Sequence, residues 1–91
     1  MALNNPTKLR RNVGARVAAL RIGRGWTQEA LAEQIDVSPR YLQAVEGGQE
    51  NLTLDSLVKI ANVLRVRVPA LFEPPDARHG STARAVVRKR P

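Results

Sequence analysis

Apolar residues recur along this chain at spacings of three and four, the mark of amphipathic helices. Val13, Val17 and Leu20 make one such stripe and predict a helix from about Pro6 to Gly23, capped by Asn5 or Thr7. Leu31, Ala32 and Ile35 predict a second helix over residues 28–35, and Leu42 and Val45 a third over 39–46. Leu57, Ile60, Ala61 and Leu64 predict a fourth over 54–64, and a last short turn after Pro69 carries Leu71 and Phe72. Nowhere does a strand-like alternation sit between hairpin turns. The expected fold is therefore all-α, a compact bundle of about five short helices.

Three helix starts share one local pattern, seen in WTQEAL, VSPRYL and LTLDSL. With Thr27, Ser38 and Thr53 as N-caps, each hydroxyl can accept from a free amide of the first turn. The residue before each cap then lies within reach of the fourth helical residue, pairing Trp26 with Leu31, Val37 with Leu42 and Leu52 with Leu57. None of the three has Glu or Gln at the third helical position, so the full capping box is missing. Pro39 suits a first helical position, where its lacking amide is no loss. Gly23 with Gly25, and Gly47 with Gly48, supply stops. Gly14 weakens the middle of the first helix, which points to another helix packing closely there.

The second and third helices are short and separated by little more than Asp36 and Val37. Helices of that length are marginal alone, so packing between them must hold them. A generic helical hairpin would satisfy this. A helix-turn-helix would as well, and it projects the start of the third helix outward into a DNA major groove.

Charge sharpens the picture. The 91 residues carry 15 Lys and Arg against 8 Asp and Glu, a net charge of +7. Lys8, Arg10, Arg11, Arg16, Arg21 and Arg24 stand in residues 1–26 without one acidic residue, the middle of the chain is net acidic, and residues 74–91 are basic again. Two basic ends favour a polyanionic partner, though a solvated surface is the plainer reading. The predicted domain spans residues 6–73, and 74–91, opening with Pro-Pro, reads as a flexible, disordered basic tail. There are no cysteines, no apolar run of spanning length and no signal-peptide pattern, so a cytoplasmic chain without disulfides or membrane association is expected.

The stretch LRIGRGWTQEALAEQIDVSPRYLQAVEGGQENLTLDSLVKIANVL resembles the helix-turn-helix of phage Cro and C1 repressors, the XRE family. The resemblance covers residues 12–72 and rests on Arg21, Arg24-Gly25, Thr27-Gln28, Leu31-Ala32, Ser38, Leu42, Glu46, Gly48, Leu57, Ile60-Ala61 and Leu64. ENLTLDSLVKIANVL and the small size also resemble restriction-modification controller proteins. Two positions depart from the pattern: Asp36 stands where glycine is usual in the turn, and Arg65 replaces the glycine of a familiar Leu-Gly-Val. The resemblance implies a phosphate contact from Gln28 and an ion pair between Arg21 and Glu46 that braces the third helix. It implies a sequence-specific transcriptional regulator that binds double-stranded DNA as a homodimer.

Residue roles follow from helix geometry. With Leu42 and Val45 inward, Pro39, Arg40, Gln43 and Ala44 lie on the outer surface. Arg40 suits the guanine O6/N7 edge or a phosphate, Gln43 suits adenine, and Ala44 can meet a thymine methyl or allow close approach. Ser38 serves as cap and, secondarily, on phosphate. The Tyr41 ring either packs or carries its hydroxyl to a phosphate, and Gln49, Asn51 and Thr53 are placed to flank the backbone. Val66, Val68, Leu71 and Phe72 form either a dimer seam or the closing layer of the monomer core. An enzyme is not expected, nor a cofactor or metal: His79 is the sole histidine, and Glu29 and Glu33 lack metal-ligating company. The competing readings are an antitoxin-like domain that engages a protein partner and a non-specific nucleic-acid binder.

Overall fold

The computed structural model describes residues 2–77. Four α-helices, α1 (Pro6–Gly23), α2 (Gln28–Gln34), α3 (Pro39–Glu46) and α4 (Leu54–Leu64), are followed by a 3₁₀ helix over Val68–Phe72. The described chain is all-helical, as its periodicity predicts, and no helix in it is long and apolar enough to cross a membrane.

Each α-helix begins on a side chain that takes up an unpaired amide. Asn5, and not Thr7, caps α1 by accepting from the Lys8 amide at 3.1 Å. Thr27, Ser38 and Thr53 accept from the amides of Ala30, Tyr41 and Ser56, each at 3.0 Å. The helix ends are equally uniform. Gly25, Asp36, Gly48 and Arg65 all take positive φ, between 60° and 75°. The amide of the next residue then donates back into the last turn: Trp26 to Arg21, Val37 to Ala32, Gln49 to Ala44 and Val66 to Ala61.

This explains how α2 and α3 join so tightly. Asp36 turns the chain, Val37 closes α2 with its amide, and Ser38 already caps α3. The Val37 side chain packs on the core, as do those of Trp26 and Leu52 before the other caps. One residue therefore ends one helix and anchors the start of the next.

The core collects the predicted stripes: Val13 and Val17 of α1, Leu31, Ala32 and Ile35 around α2, Leu42 and Val45 of α3, and Leu57, Ile60, Ala61 and Leu64 of α4. Leu71, from the 3₁₀ helix, is fully buried and seals the core against α1 and α4. Helices α1 and α3 touch backbone to backbone. A Cβ on Gly14 would collide with the Val45 carbonyl oxygen and lie 2.7 Å from that of Glu46.

Two polar side chains of α1, one turn apart, hold the C-terminal segment. Asn12 donates to the Glu73 carbonyl at 3.0 Å. Arg16 donates to the Ala70 carbonyl at 2.9 Å, the Ala77 carbonyl at 2.8 Å and the Glu73 carboxylate at 2.9 Å. Residues 74–77, which the sequence assigned to the tail, thus lie against α1; the remainder of that tail falls outside the described residues.

Candidate nucleic-acid interface

Helix α3 presents its first turn to the outside. Ser38, Pro39, Arg40 and Gln43 are exposed, whereas Leu42 and Val45 are buried beneath them. Arg40 takes part in none of the ion pairs or side-chain hydrogen bonds among the described residues, so its five donors point at solvent. Ala44 is half-buried beside this surface. Tyr41 is half-buried too, its ring packed on the core. The Ser38 oxygen accepts from the Tyr41 amide, leaving its proton free for an outside acceptor.

The segment after α3 is less uniform than the sequence reading made it. Gln49 and Asn51 are exposed. Thr53 is exposed as well, but its hydroxyl is engaged on both sides: it accepts from the Ser56 amide and donates to the Ser56 hydroxyl, each at 3.0 Å. That hydroxyl has little left for a phosphate.

Behind α3 lies a charged brace. Arg21 Nε donates to Glu46 Oε2 at 2.8 Å, and Arg21 Nη2 donates to Oε1 at 3.0 Å. The third arm of the guanidinium, Nη1, donates to the Trp26 carbonyl at 2.8 Å. Gln28 Nε2 also donates to Glu46 Oε1, at 2.8 Å. One carboxylate at the end of α3 therefore ties down α1 and the first residue of α2, and Arg21 in turn holds the turn before α2. Only 12% of the Arg21 side chain and 6% of the Glu46 side chain are exposed, so water screens this pair weakly. Gln28 keeps one amide hydrogen and its carbonyl oxygen for other partners.

Arg16, one of the six basic residues of positions 1–26 and without a role assigned from the sequence, is 1% exposed and engaged on every arm. The signal was present: Arg16 lies three residues after Val13 and four before Leu20, inside the inward stripe. Arg24 is also engaged, its guanidinium 4.5 Å from the centre of the Trp26 ring.

Of the four residues between a seam and a core, Leu71 is fully buried, Val66 and Val68 pack on the core, and Phe72 is 41% exposed. Glu29 and Glu33 are exposed, and no group of three potential ligands that could hold a metal occurs among the described residues. His79 falls outside them.

Residues 17–71, more than half of the chain, match the helix-turn-helix family. The transcriptional regulator RamB of Mycobacterium tuberculosis is 36% identical over 78 residues, which are 86% of this chain but 16% of RamB. The chain thus spans a small part of that longer relative. The crystal structure of the hypothetical transcription factor NHTF from Neisseria matches with a TM-score of 0.71 at 32% identity, over 82% of this chain and 86% of that one. The restriction-modification controller protein C.AhdI from Aeromonas hydrophila matches with a TM-score of 0.66 at 34% identity, over 68% of this chain and 94% of that one. The chain belongs to the helix-turn-helix family, in its Cro/C1 (XRE) branch.

Proposed function

We propose that this protein is a sequence-specific regulator that binds DNA as a homodimer, with α3 reading the major groove of a two-fold symmetric operator. The observation that carries the reading is the first turn of α3. Arg40 and Gln43 stand free and exposed there, on a helix whose far end is clamped by Glu46. Arg40 reads a guanine and Gln43 an adenine, while Pro39 and Ala44 allow the helix close to the base edges. Ser38, Tyr41, Gln28, Gln49 and Asn51 touch the sugar-phosphate backbone and set the register, with Thr53 limited to its cap. Arg21 and Glu46 act on DNA only through the orientation of α3. The likeness to C.AhdI supports a controller role within this class. Such a regulator works in the cytoplasm, on the chromosome.

Selection of bound duplexes from a random pool, near physiological salt, tests the reading. The expected product is a two-fold symmetric motif whose halves lie about 34 Å, or one helical turn, apart. A single asymmetric half-site would leave the reader and remove the dimer. No enrichment at all would move the function to a protein partner, or to binding without sequence preference.

A further inference from the structure

Helix α4 turns Leu57, Ile60, Ala61 and Leu64 into the core, yet its opposite side is not wholly polar. Leu54 is 76% exposed and Val58 is 47% exposed. They stand four residues apart and so share one face. Asp55 and Lys59 lie beside them at the same spacing, and Asp55, Val58, Lys59 and Asn62 line a shallow hollow. An acid four residues before a lysine is the favourable order for a pair within one helix. The ion pairs among the described residues are nonetheless Arg16–Glu73 and Arg21–Glu46, and Asp55 and Lys59 form neither.

Such a face is complementary to itself. A two-fold axis crossing α4 at the level of Leu57 sets two copies antiparallel, with position 55 of each level with position 59 of the other. At about 1.5 Å of rise per residue, Val58 then lies beside the axis and meets its own counterpart. An Asp55–Lys59 pair falls on either side, and Leu54 covers the aliphatic stem of the opposite Lys59. A wholly acidic or wholly basic partner would be attracted at one position and repelled at the other.

We infer that the outer face of α4, centred on Val58, is where a second copy of this chain docks. The inference rests on the homodimer reading and gives it a seam. That seam lies away from Leu71, which the monomer already buries, and from Val66 and Val68, which pack on the core.

Sedimentation equilibrium of the full chain tests this, with the far-UV spectrum as the check on folding. Val58→Asp sets like charges against each other and raises the dissociation constant about tenfold or more. Leu54→Lys weakens association as well. Asp55→Lys and Lys59→Asp each weaken it, and the double exchange D55K/K59D regains most of the loss because it restores opposite signs across the axis. A chain that stays dimeric through Val58→Asp and Leu54→Lys overturns the seam while leaving the homodimer intact. A double exchange no better than its parents overturns the antiparallel register and the seam with it. A wild-type chain monomeric both free and on its operator overturns seam and homodimer together.

Discussion

Arginines in this chain do three kinds of work, and burial separates them. Arg40 is exposed and unengaged, so its fork is available to DNA. Arg40→Ala should weaken the selected operator by about 1–3 kcal/mol and relax preference at one base position. Titration against single-base variants checks this; an equal loss on every sequence would make Arg40 a phosphate contact. Arg21 does its work inside the protein. Arg21→Ala strands the nearly buried Glu46 carboxylate with Gln28 as its remaining partner. Removing one member of such a pair costs more than forming it contributes, here about 2–4 kcal/mol. A thermal melt should show the loss, and an unchanged melting temperature would remove the brace from the account of how α3 is held. Arg16 is engaged deeper still, with two backbone carbonyls and one carboxylate around its guanidinium.

At the scale of the helix, each element is too short to persist alone, and its ends do much of the specifying. Each α-helix starts on an Asn, Ser or Thr cap and is followed by a left-handed residue whose successor bonds back. Two of those left-handed positions hold glycine, which adopts them freely; the other two hold Asp36 and Arg65. Asp36 combines backbone strain with a negative charge at the negative end of α2. Asp36→Gly removes both and should stabilise the fold by about 1 kcal/mol, with the gain reduced by the freer unfolded chain. A rise of a few degrees in melting temperature would show it, and a fall would mean the Asp36 side chain holds the turn. Gly14 stands at the opposite extreme. Any Cβ there drives α1 off the α3 carbonyls, so Gly14→Ala should cost about 1–3 kcal/mol despite alanine's better helix propensity.

Across the whole molecule, not every cation is open to a polyanion. Arg16 and Arg21 are turned inward, each paired with a glutamate, so the two pairs cancel and the rest of the chain still carries +7, while Arg24 lies over Trp26. Under the proposed function, attraction to DNA draws on the remaining cations, the basic residues of 78–91 among them. Neutralising Arg88, Lys89 and Arg90 together should flatten the dependence of log K on log salt by up to about 2.7, near 0.9 per lost phosphate contact. Base preference should survive unchanged. Operator titrations at several salt concentrations check both, and an unaltered slope would take those residues out of the interface.

The helices, their caps and their inward faces were legible in the sequence because each depends on residues within one or two turns. Apolar period set the core, hydroxyl caps set the starts, and the tight Asp36-Val37-Ser38 join followed from both. Arg21 and Glu46 were legible only through family resemblance, since 25 residues separate them and no local rule couples them. What only the tertiary structure decided was which polar groups face inward. Arg16 and Asn12 find partners some 60 residues along the chain, and Thr53 spends its hydroxyl on its own helix. Gly14 was readable as a place of close approach, but the identity of the approaching backbone was not. Local periodicity fixes which face of a helix is apolar; what that face meets is set by chain segments brought together only when the bundle closes.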